Sequence, residues 1–340
     1  MRAWLTGPDM GIDALRMVER PDPRPGMGEA LVKVRAVSLN YRDLLVIEGH
    51  SQWRPTGPRI PVSDGAGEIV AVGDGVTRVR VGDRVASVFF PNWMDGPLDA
   101  AKIAVTGMGG RSVDGMLAEY RALPERALVH LPEHLSFEEG ATLPVAALTA
   151  WNSVIEQGGT QLGDTILTQG TGGVALFALQ FALLAGARVI ALSSTPEKIA
   201  RLSALGAGAV INYREMPEWD SLVREATGGE GVNQVVDILG GALDRSLRST
   251  RVGGLISLVG NLAGFAATFD IRNLSAGARI QDVAVGSRAM FERMNHAIAQ
   301  HELRPVIDRV FAFEDAPAAL YYLKSGQHIG KVCITVTVGT

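Results

Sequence analysis

Apolar and polar positions alternate with a period of two near the start of the chain. Ala30 to Val37 reads ALVKVRAV, which predicts a half-buried strand. Gly67 to Val72 and Val79 to Val85 predict further strands, with Gly73-Asp74-Gly75 and Gly82-Asp83 as corners. Short strands joined this way predict a small antiparallel barrel, and Pro21 to Pro25 predicts an extended, stiffened connector. The pattern then changes. Thr165 to Thr168 is a short apolar run, followed by a tight turn at Gly170-Thr171-Gly172-Gly173-Val174-Ala175 and an apolar helix reaching nearly to Gly186. A second apolar strand, Ala187 to Leu192, stops at Ser193-Ser194-Thr195. Strand, glycine turn, helix and strand make a right-handed βαβ unit of a parallel sheet.

Val232 to Leu239, Leu255 to Val259 and Ile280 to Gly286 predict more buried strands of that sheet. Beyond them come an amphipathic helix at Ala289 to His301, a strand-like Pro305 to Phe313, a helix at Asp315 to Ser325 and a closing strand at His328 to Ile334. Ser136 and Glu139 have the spacing of a capping box opening the helix before the glycine turn. The fold class is therefore α/β, a doubly wound parallel sheet plus a separate β-rich domain.

The turn has the form G-x-G-x-x-A. Gly170 permits the tight turn, Gly172 lets backbone approach a pyrophosphate, and Ala175 lets helix pack on strand. Exposed N–H groups of Thr171, Gly172, Gly173 and Val174 would meet the phosphate charge at the helix start. An NAD-binding unit carries Asp or Glu at the end of its second strand; here the position is Ser193, followed by Ser194, Lys198 and Arg201. A carboxylate would repel a 2′-phosphate, whereas hydroxyls and a cation would hold one, so NADPH is favoured over NADH. Glu197 is the discordant charge. Ligands in such sheets lie beyond the carboxyl ends of strands, which brings in Val259, Gly260, Asn261 and Ser287.

Composition narrows the partners. The 340 residues are 47% hydrophobic and 20% charged with 40 glycines, as in a globular α/β chain with many turns. A net charge of −4 without a basic run argues against nucleic acid. The single cysteine, Cys333, excludes an internal disulfide and a thiolate metal cluster and suits a reducing compartment. It stands in an apolar alternating strand, as an inert buried thiol would. The opening MRAWLTGPDM lacks a signal core, and the longest apolar run, Val174 to Ala185, is too short to span a bilayer. The expectation is a cytoplasmic protein acting on a small molecule, away from membranes.

GEALVKVRAVSLNYRDLL, GAGEIVAVGDGV and VGDRVA, followed by the βαβ unit, resemble the medium-chain dehydrogenase/reductase superfamily over essentially the whole chain. The resemblance implies a GroES-like catalytic domain at 1–125, a Rossmann domain at 126–288 and a return to the first domain at 289–340. It also implies a homodimer through the edge strand of the Rossmann sheet. In zinc-containing members the first catalytic ligand is a cysteine where this chain has Asn40, and a His-Glu pair stands where it has Ser63-Asp64. The remaining ligand falls near Leu143 to Val145, and residues 90 to 115 lack the cysteines of the structural zinc lobe. Asn and Ser are poor zinc ligands and one Asp cannot hold the metal, so neither zinc site is expected.

The zinc-free branch resembled is that of NADPH:quinone oxidoreductases and enone reductases. Asn40-Tyr41-Arg42-Asp43 matches their N-x-x-D motif, while Leu45, Ile47 and Ser51 depart from the Tyr, Arg and Tyr that typically follow. Asp43 reads either as a substrate-facing group or as a helix-start residue, and Tyr41 as a pocket wall, a proton donor or a packing residue. Asp64 reads as an acceptor of nearby N–H groups. By resemblance Thr149 lies beside the nicotinamide, Tyr213 reaches the 2′-phosphate, and Lys331 meets the cofactor phosphates; a back-bonded hydroxyl and an exposed strand lysine are the plain readings of Thr149 and Lys331. The six histidines do not cluster, and Pro132 interrupts the His130–His134 spacing. Phe89 to Gly96 reads as a loop over the cleft, with an exposed loop or a dimer contact as the plain alternative. The expected activity is zinc-independent hydride transfer from NADPH to a quinone, enone or enal. A zinc-free alcohol dehydrogenase or carbonyl reductase and a non-catalytic NADPH-binding protein are the alternatives.

Overall fold

The computed structural model describes residues 1–337 apart from Ser51, Gln52, Val105, Thr106, Asn261, Ala263, Phe265, Ser275 and Ala276. In chain order the described strands are β1 (Arg2–Leu5), β2 (Arg16–Glu19), β3 (Glu29–Ser38), β4 (Asp64–Val72), β5 (Arg84–Ser87), β6 (Tyr120–Pro124) and β7 (Leu128–His130). They continue as β8 (Thr165–Gln169), β9 (Arg188–Ser193), β10 (Ala209–Asn212), β11 (Val232–Asp237), β12 (Thr250–Leu258), β13 (Arg279–Asp282), β14 (Ile307–Ala312) and β15 (Lys331–Thr335). The chain divides into two compact units, residues 1–148 with 286–340, and residues 149–285.

The first unit is built on a seven-stranded sheet of order β14-β15-β3-β4-β5-β7, with β6 also paired to β3. Its pairings are antiparallel except the parallel β14–β15 pair. β3 alternates as its sequence predicts: Ala30, Val32, Val34 and Ala36 are buried, while Arg35 is exposed. Beyond Ala36 the alternation stops, and Val37 and Ser38 are both buried where β15 and β4 flank the strand. The apolar core gathers Val32, Val34, Ile69, Leu117, Phe313, Leu320 and Ile334. Val79 to Val81 is not a strand. The Asp83 carboxylate accepts the Arg80 N–H at 2.9 Å, closing a turn before β5, and leaves Val81 60% exposed.

The second unit holds six strands, all parallel, in the order β10-β9-β8-β11-β12-β13. This is the doubly wound arrangement, in which sheet order reverses between β8 and β11. Val189 to Leu192 and Val235 to Asp237 are buried throughout, as strands covered on both faces must be. The helix Gly173–Leu184 is apolar nearly all round and correspondingly buried. Its Phe181 ring meets Trp151 edge-on at 5.4 Å and stacks with Phe177 at 6.0 Å. The last strand is shorter than its sequence suggests: β13 ends at Asp282, and Val285, at φ 39°, turns the chain out of the sheet. Among the described residues no helix is long and apolar enough to cross a membrane.

The first compact unit runs along the chain to Leu148. Ser136 caps the helix Phe137–Ala141, its Oγ accepting the Glu139 N–H at 3.1 Å while the Glu139 carboxylate accepts the Ser136 N–H at 2.7 Å. That helix packs on β3 and β4, which draws it into the first unit. The helix Arg288–Gln300 packs against β7, so the return begins at Gly286.

Cys333 lies on β15, fully buried, and burial pushes its thiol up to about 12. The native protein is expected to leave a thiol reagent such as dithionitrobenzoate unreacted at neutral pH and to release one equivalent only after unfolding. Rapid native labelling would contradict this burial.

Candidate active site

Strand register assembles the polar centre of the first unit. β15 pairs antiparallel with β3 so that Cys333 faces Ser38, and the same register continued two residues sets Lys331 opposite Asn40. On the other side of β3, Ser38 faces Asp64 at the start of β4. The end of β3 is thus flanked by Lys331 on one side and by Ser63 and Asp64 on the other.

All five side chains are buried: Asp43, Ser63 and Asp64 completely, Lys331 at 3% exposure and Asn40 at 9%. The Lys331 ammonium donates to the Leu39 carbonyl and to Asn40 Oδ1, both at 2.6 Å. Asn40 Nδ2 donates to Ser63 Oγ at 3.3 Å. Asn40 also opens the helix Tyr41–Ile47, where the Asp43 carboxylate reaches back to accept its backbone N–H at 2.9 Å. The other Asp43 oxygen accepts from the Ser63 N–H at 3.1 Å and from Arg42 Nη1 at 3.2 Å. Asp43 therefore clamps the helix start to the segment before β4. This is its helix-start reading; its carboxylate is engaged by groups of its own chain, contrary to a substrate-facing role. The clamp holds Val62 at φ 71°, a backbone region costly for a β-branched residue.

Asp64 has one oxygen on the Val145 N–H at 3.3 Å, and the other, Oδ1, is buried with no hydrogen-bond partner. The Val145 N–H is available because Pro144 interrupts the helix ladder: Leu143–Ala147 is a wide, π-helical turn. Burial pushes the Asp64 carboxyl up to about 7, against the pull of the Lys331 charge. The same burial lowers the Lys331 ammonium, opposed by Asp64.

Two expectations for this unit change. Lys331 is neither an exposed strand lysine nor free for a phosphate, because its ammonium is spent on Leu39 and Asn40. Ser287 likewise gives its hydroxyl to the helix Arg288–Gln300, accepting the Met290 N–H at 3.2 Å. Tyr41 is 44% exposed, which removes the packing reading and leaves its hydroxyl accessible. Leu45 and Ile47, the departures from the quinone-reductase pattern, are buried packing residues, and Ser51 lies outside the described residues. Phe89 to Gly96 is a loop with a buried anchor rather than an exposed one: Phe89 and Trp93 are both buried. Arg42, which the sequence reading passed over, holds it. Its guanidinium stands 5.0 Å from the Phe89 ring and 5.6 Å from the Trp53 ring, and donates to the Met108 carbonyl at 2.8 Å. The signal was a charged residue inside the otherwise apolar helix YRDLLVI.

The second unit holds the glycine turn. Gly170 has φ 84°, which glycine adopts without strain, and its N–H donates to the Leu192 carbonyl at 2.8 Å. Nothing lies within 4 Å of where a Cβ on Gly172 would stand. That empty space borders the N-terminus of the helix Gly173–Leu184, as a pyrophosphate requires. Thr171 is buried, while Gly173 and Val174 are partly exposed. At the end of β9 the Ser193 hydroxyl is buried without a partner, and Ser194 beside it is half-buried. The Tyr213 N–H donates to the Ser193 carbonyl at 3.0 Å, which sets Tyr213 at the same strand end. Thr195 caps the next helix by accepting the Lys198 N–H at 3.4 Å, and Glu197 is exposed to solvent. Val259 and Gly260 follow the end of β12, their N–H groups on the Asp237 carbonyl; Asn261 lies outside the described residues. Thr149 is buried in a single α-helical turn, Leu148–Trp151, between two π-helical segments. The open cradle at Gly172 and the orphaned Ser193 hydroxyl suit a nicotinamide dinucleotide, which supplies a transferable hydride when bound.

Comparison with known proteins agrees with both halves. Residues 26–133 match the family described as alcohol dehydrogenase GroES-like domain, and residues 173–300 the family described as zinc-binding dehydrogenase. A zinc-type alcohol dehydrogenase-like protein of Schizosaccharomyces pombe is 41% identical over 336 residues, 96% of each chain. The chain belongs to the medium-chain dehydrogenase/reductase superfamily. A solved Sinorhizobium meliloti structure named for alcohol dehydrogenase is 40% identical, with a TM-score of 0.91 over 98% of this chain and 99% of that one. A mycobacterial protein solved in complex with NADPH is 29% identical, with a TM-score of 0.83 over 98% of this chain and 100% of that one. As a superfamily member the protein is an NAD(P)-dependent oxidoreductase acting on a small molecule.

A zinc ion is the further group those names imply, and the donors do not suit it. Among the described residues no three His, Cys, Asp or Glu side chains are grouped to hold a metal ion. Asn40 Oδ1 already accepts from an ammonium, Ser63 Oγ from an amide, and Asp64 is a single carboxylate. Catalytic zinc takes three strong donors and an open position.

Two tests follow from this geometry. Gly172→Ala is expected to leave the free protein as stable as wild type or up to about 1 kcal/mol more stable. It should weaken NADPH binding by about 10- to 100-fold through lost phosphate hydrogen bonds. Equal affinity by fluorescence titration would remove the pyrophosphate from this turn. Asp64 binds its proton more tightly folded than unfolded, so its contribution to stability falls as pH rises from about 3.8 to about 7 and is level above. Asp64→Asn should therefore lose less melting temperature than wild type between pH 5 and pH 8; equal slopes would place the carboxyl in its ordinary range.

Proposed function

We propose that the protein is a zinc-independent, NADPH-dependent reductase that directs a hydride to an activated acceptor, a quinone, an enone or an enal. The observation that carries this reading is the hydrogen-bonded cluster of Asn40, Ser63, Asp64 and Lys331, whose atoms are engaged with one another and lack a zinc donor set. A site of this chemistry polarises a simple alcohol or ketone less than a metal does, so an acceptor already electron-poor through conjugation is the better match. Tyr41, exposed at the start of the helix beside Asn40, is the candidate wall or proton donor. Binding, orientation and exclusion of water are then the chain's main contributions.

Ser193 supports NADPH. Its unpartnered hydroxyl stands where a carboxylate would select NADH, with Ser194, Lys198 and Tyr213 following. The mycobacterial relative in complex with NADPH agrees with this choice. Thr149, Val259 and Gly260 are proposed to line the nicotinamide end. An alcohol dehydrogenase or carbonyl reductase is the second reading, favoured by the name of the Schizosaccharomyces pombe relative. We also propose a homodimer through β13, which forms one edge of the six-stranded sheet, with Val252 and Ile271 exposed on neighbouring segments.

Purified protein is expected to oxidise NADPH with a panel of enals, enones and quinones, and elemental analysis to find far less than one zinc per chain. Stoichiometric zinc with chelator-sensitive alcohol oxidation would favour the second reading. Ser193→Asp should lower kcat/KM for NADPH relative to NADH by on the order of 10²-fold, through like-charge repulsion of the 2′-phosphate. An unchanged ratio would move the phosphate away from β9.

A further inference from the structure

We propose that Asp237 is a specificity-determining residue for the redox state of the cofactor: its buried carboxylate favours the oxidised, positively charged nicotinamide ring over the reduced, neutral one. The proposal rests on the reading of the second unit as a nicotinamide dinucleotide site.

The residue lies within that unit, at the last position of β11, and is fully buried. Its Oδ1 accepts from the Leu239 N–H at 3.1 Å and the Gly240 N–H at 2.9 Å, and its Oδ2 from the Ser246 hydroxyl at 2.7 Å. Three donor hydrogens converge on two oxygens, the environment of an ionised carboxylate. Among the described residues no lysine, arginine or histidine forms an ion pair with it. The arginines of the helix that carries Ser246, Leu243–Ser249, are committed elsewhere: Arg245 to Glu218 and Asp220, Arg248 to Asp220 and Asp244.

The charge is more than the fold asks for. An asparagine closes the same turn with its side-chain oxygen. The neighbours would accommodate an amide as well. Ser246 Oγ accepts from Gln169 Nε2 at 3.1 Å, and Gln169 Oε1 is buried without a partner. Turning the hydroxyl and the Gln169 amide over would reverse this chain of hydrogen bonds and keep each link. Burying a charge without a counter-ion is costly, so what the carboxylate adds over an amide is its field.

Placement says what that field acts on. The Asp237 carbonyl accepts from the Val259 N–H at 2.8 Å and the Gly260 N–H at 3.4 Å, which sets the residue against the segment proposed to line the nicotinamide end. A Cβ on Gly260 would stand 2.2 Å from the Ile238 carbonyl oxygen, so the two strand ends close on each other with no room for a side chain. The oxidised ring differs from the reduced one by a hydride and carries one more positive charge, while the phosphates are the same in both. A fixed negative charge therefore acts on the phosphates equally and on the ring in one state only. At an effective dielectric of about 20, unit charges about 10 Å apart change an equilibrium on the order of tenfold. By linkage, holding the oxidised form more tightly makes bound NADPH the stronger reductant.

The test is calorimetric titration of the full chain with NADP+, with NADPH and with 2′,5′-ADP, which carries the 2′-phosphate but no ring. Asp237→Asn should weaken NADP+ relative to NADPH on the order of tenfold. Ser246→Ala removes a contact to the carboxylate but keeps the charge, and should change the two affinities alike. Asp237→Ser serves if Asp237→Asn does not fold, with circular dichroism as the check, since a serine hydroxyl closes the same turn more weakly. The ratio of the two affinities is the decisive readout, because a purely structural role weakens both forms together. Equal weakening in the Asp237 variants, or a ratio that Ser246→Ala moves as far, overturns the proposal. Wild type that binds all three ligands while the ratio stays unmoved ends this inference alone. Wild type that binds none of them ends the dinucleotide reading itself, and the proposal with it.

Discussion

An ammonium removed from water must be surrounded by oxygen, and in the first unit that requirement falls on the end of β3. Lys331 enters on β15, whose pairing with β3 leaves it no other place than opposite Asn40. The Leu39 carbonyl and Asn40 Oδ1 accept its hydrogen bonds, and the charge of Asp64 offsets part of the cost of burial. A buried cation left with one partner missing is strongly destabilising, whereas a fully satisfied cluster is tolerated. The orientation of the Asn40 amide, the corner at Ser63 and the wide turn that frees the Val145 N–H are therefore parts of one arrangement.

The nucleotide unit solves its problem in the opposite way, by leaving things out. Gly172 leaves the space beside the helix start open, and β9 ends in a serine rather than a carboxylate. Its hydrophobic content does the holding: the helix behind the glycine turn is buried on nearly every side, with Phe177 stacked on Phe181 and the Trp151 ring set edge-on against Phe181. A rigid helix keeps its first N–H groups aimed at one point, which a flexible glycine loop alone would not do.

These two styles explain what was legible in the sequence. Period and punctuation are local, so the βαβ unit, its glycine turn, the Ser136–Glu139 cap and the C-terminal helices could be read directly. Burial of a charge is not local. Lys331 looked like a phosphate ligand or a surface lysine because nothing within ten residues says what faces it; only the register of β15 against a strand from the other end of the chain does. Ser287 is ambiguous for a related reason, since a serine after a strand and before a helix serves a phosphate or a cap equally well in one dimension, and the cap is the contact it makes. Val79 to Val85 alternates like a strand, yet the Asp83 carboxylate competes for the Arg80 N–H and makes a turn instead. Arg42 was invisible as a structural pin because the aromatic rings it meets come from Trp53 and Phe89, each on a separate segment.

The N-x-x-D motif at Asn40 to Asp43 is best understood as two functions sharing one turn of helix. Asp43 accepts from the backbone at both ends of the corner, so its contribution is to geometry and would be felt whatever the reaction. Asn40 hands its backbone N–H to Asp43 and keeps its side chain for Lys331 and Ser63, so its amide is the part whose chemistry can vary with the surroundings. The fold needs a residue there that opens a helix; the buried ammonium needs one that offers it an oxygen. Asparagine meets both, and the lysine on the neighbouring strand decides which way it faces. The chain thus keeps its strand register, its corner and its glycine turn while Lys331 and Asn40 fill the centre of the first unit with contacts to one another.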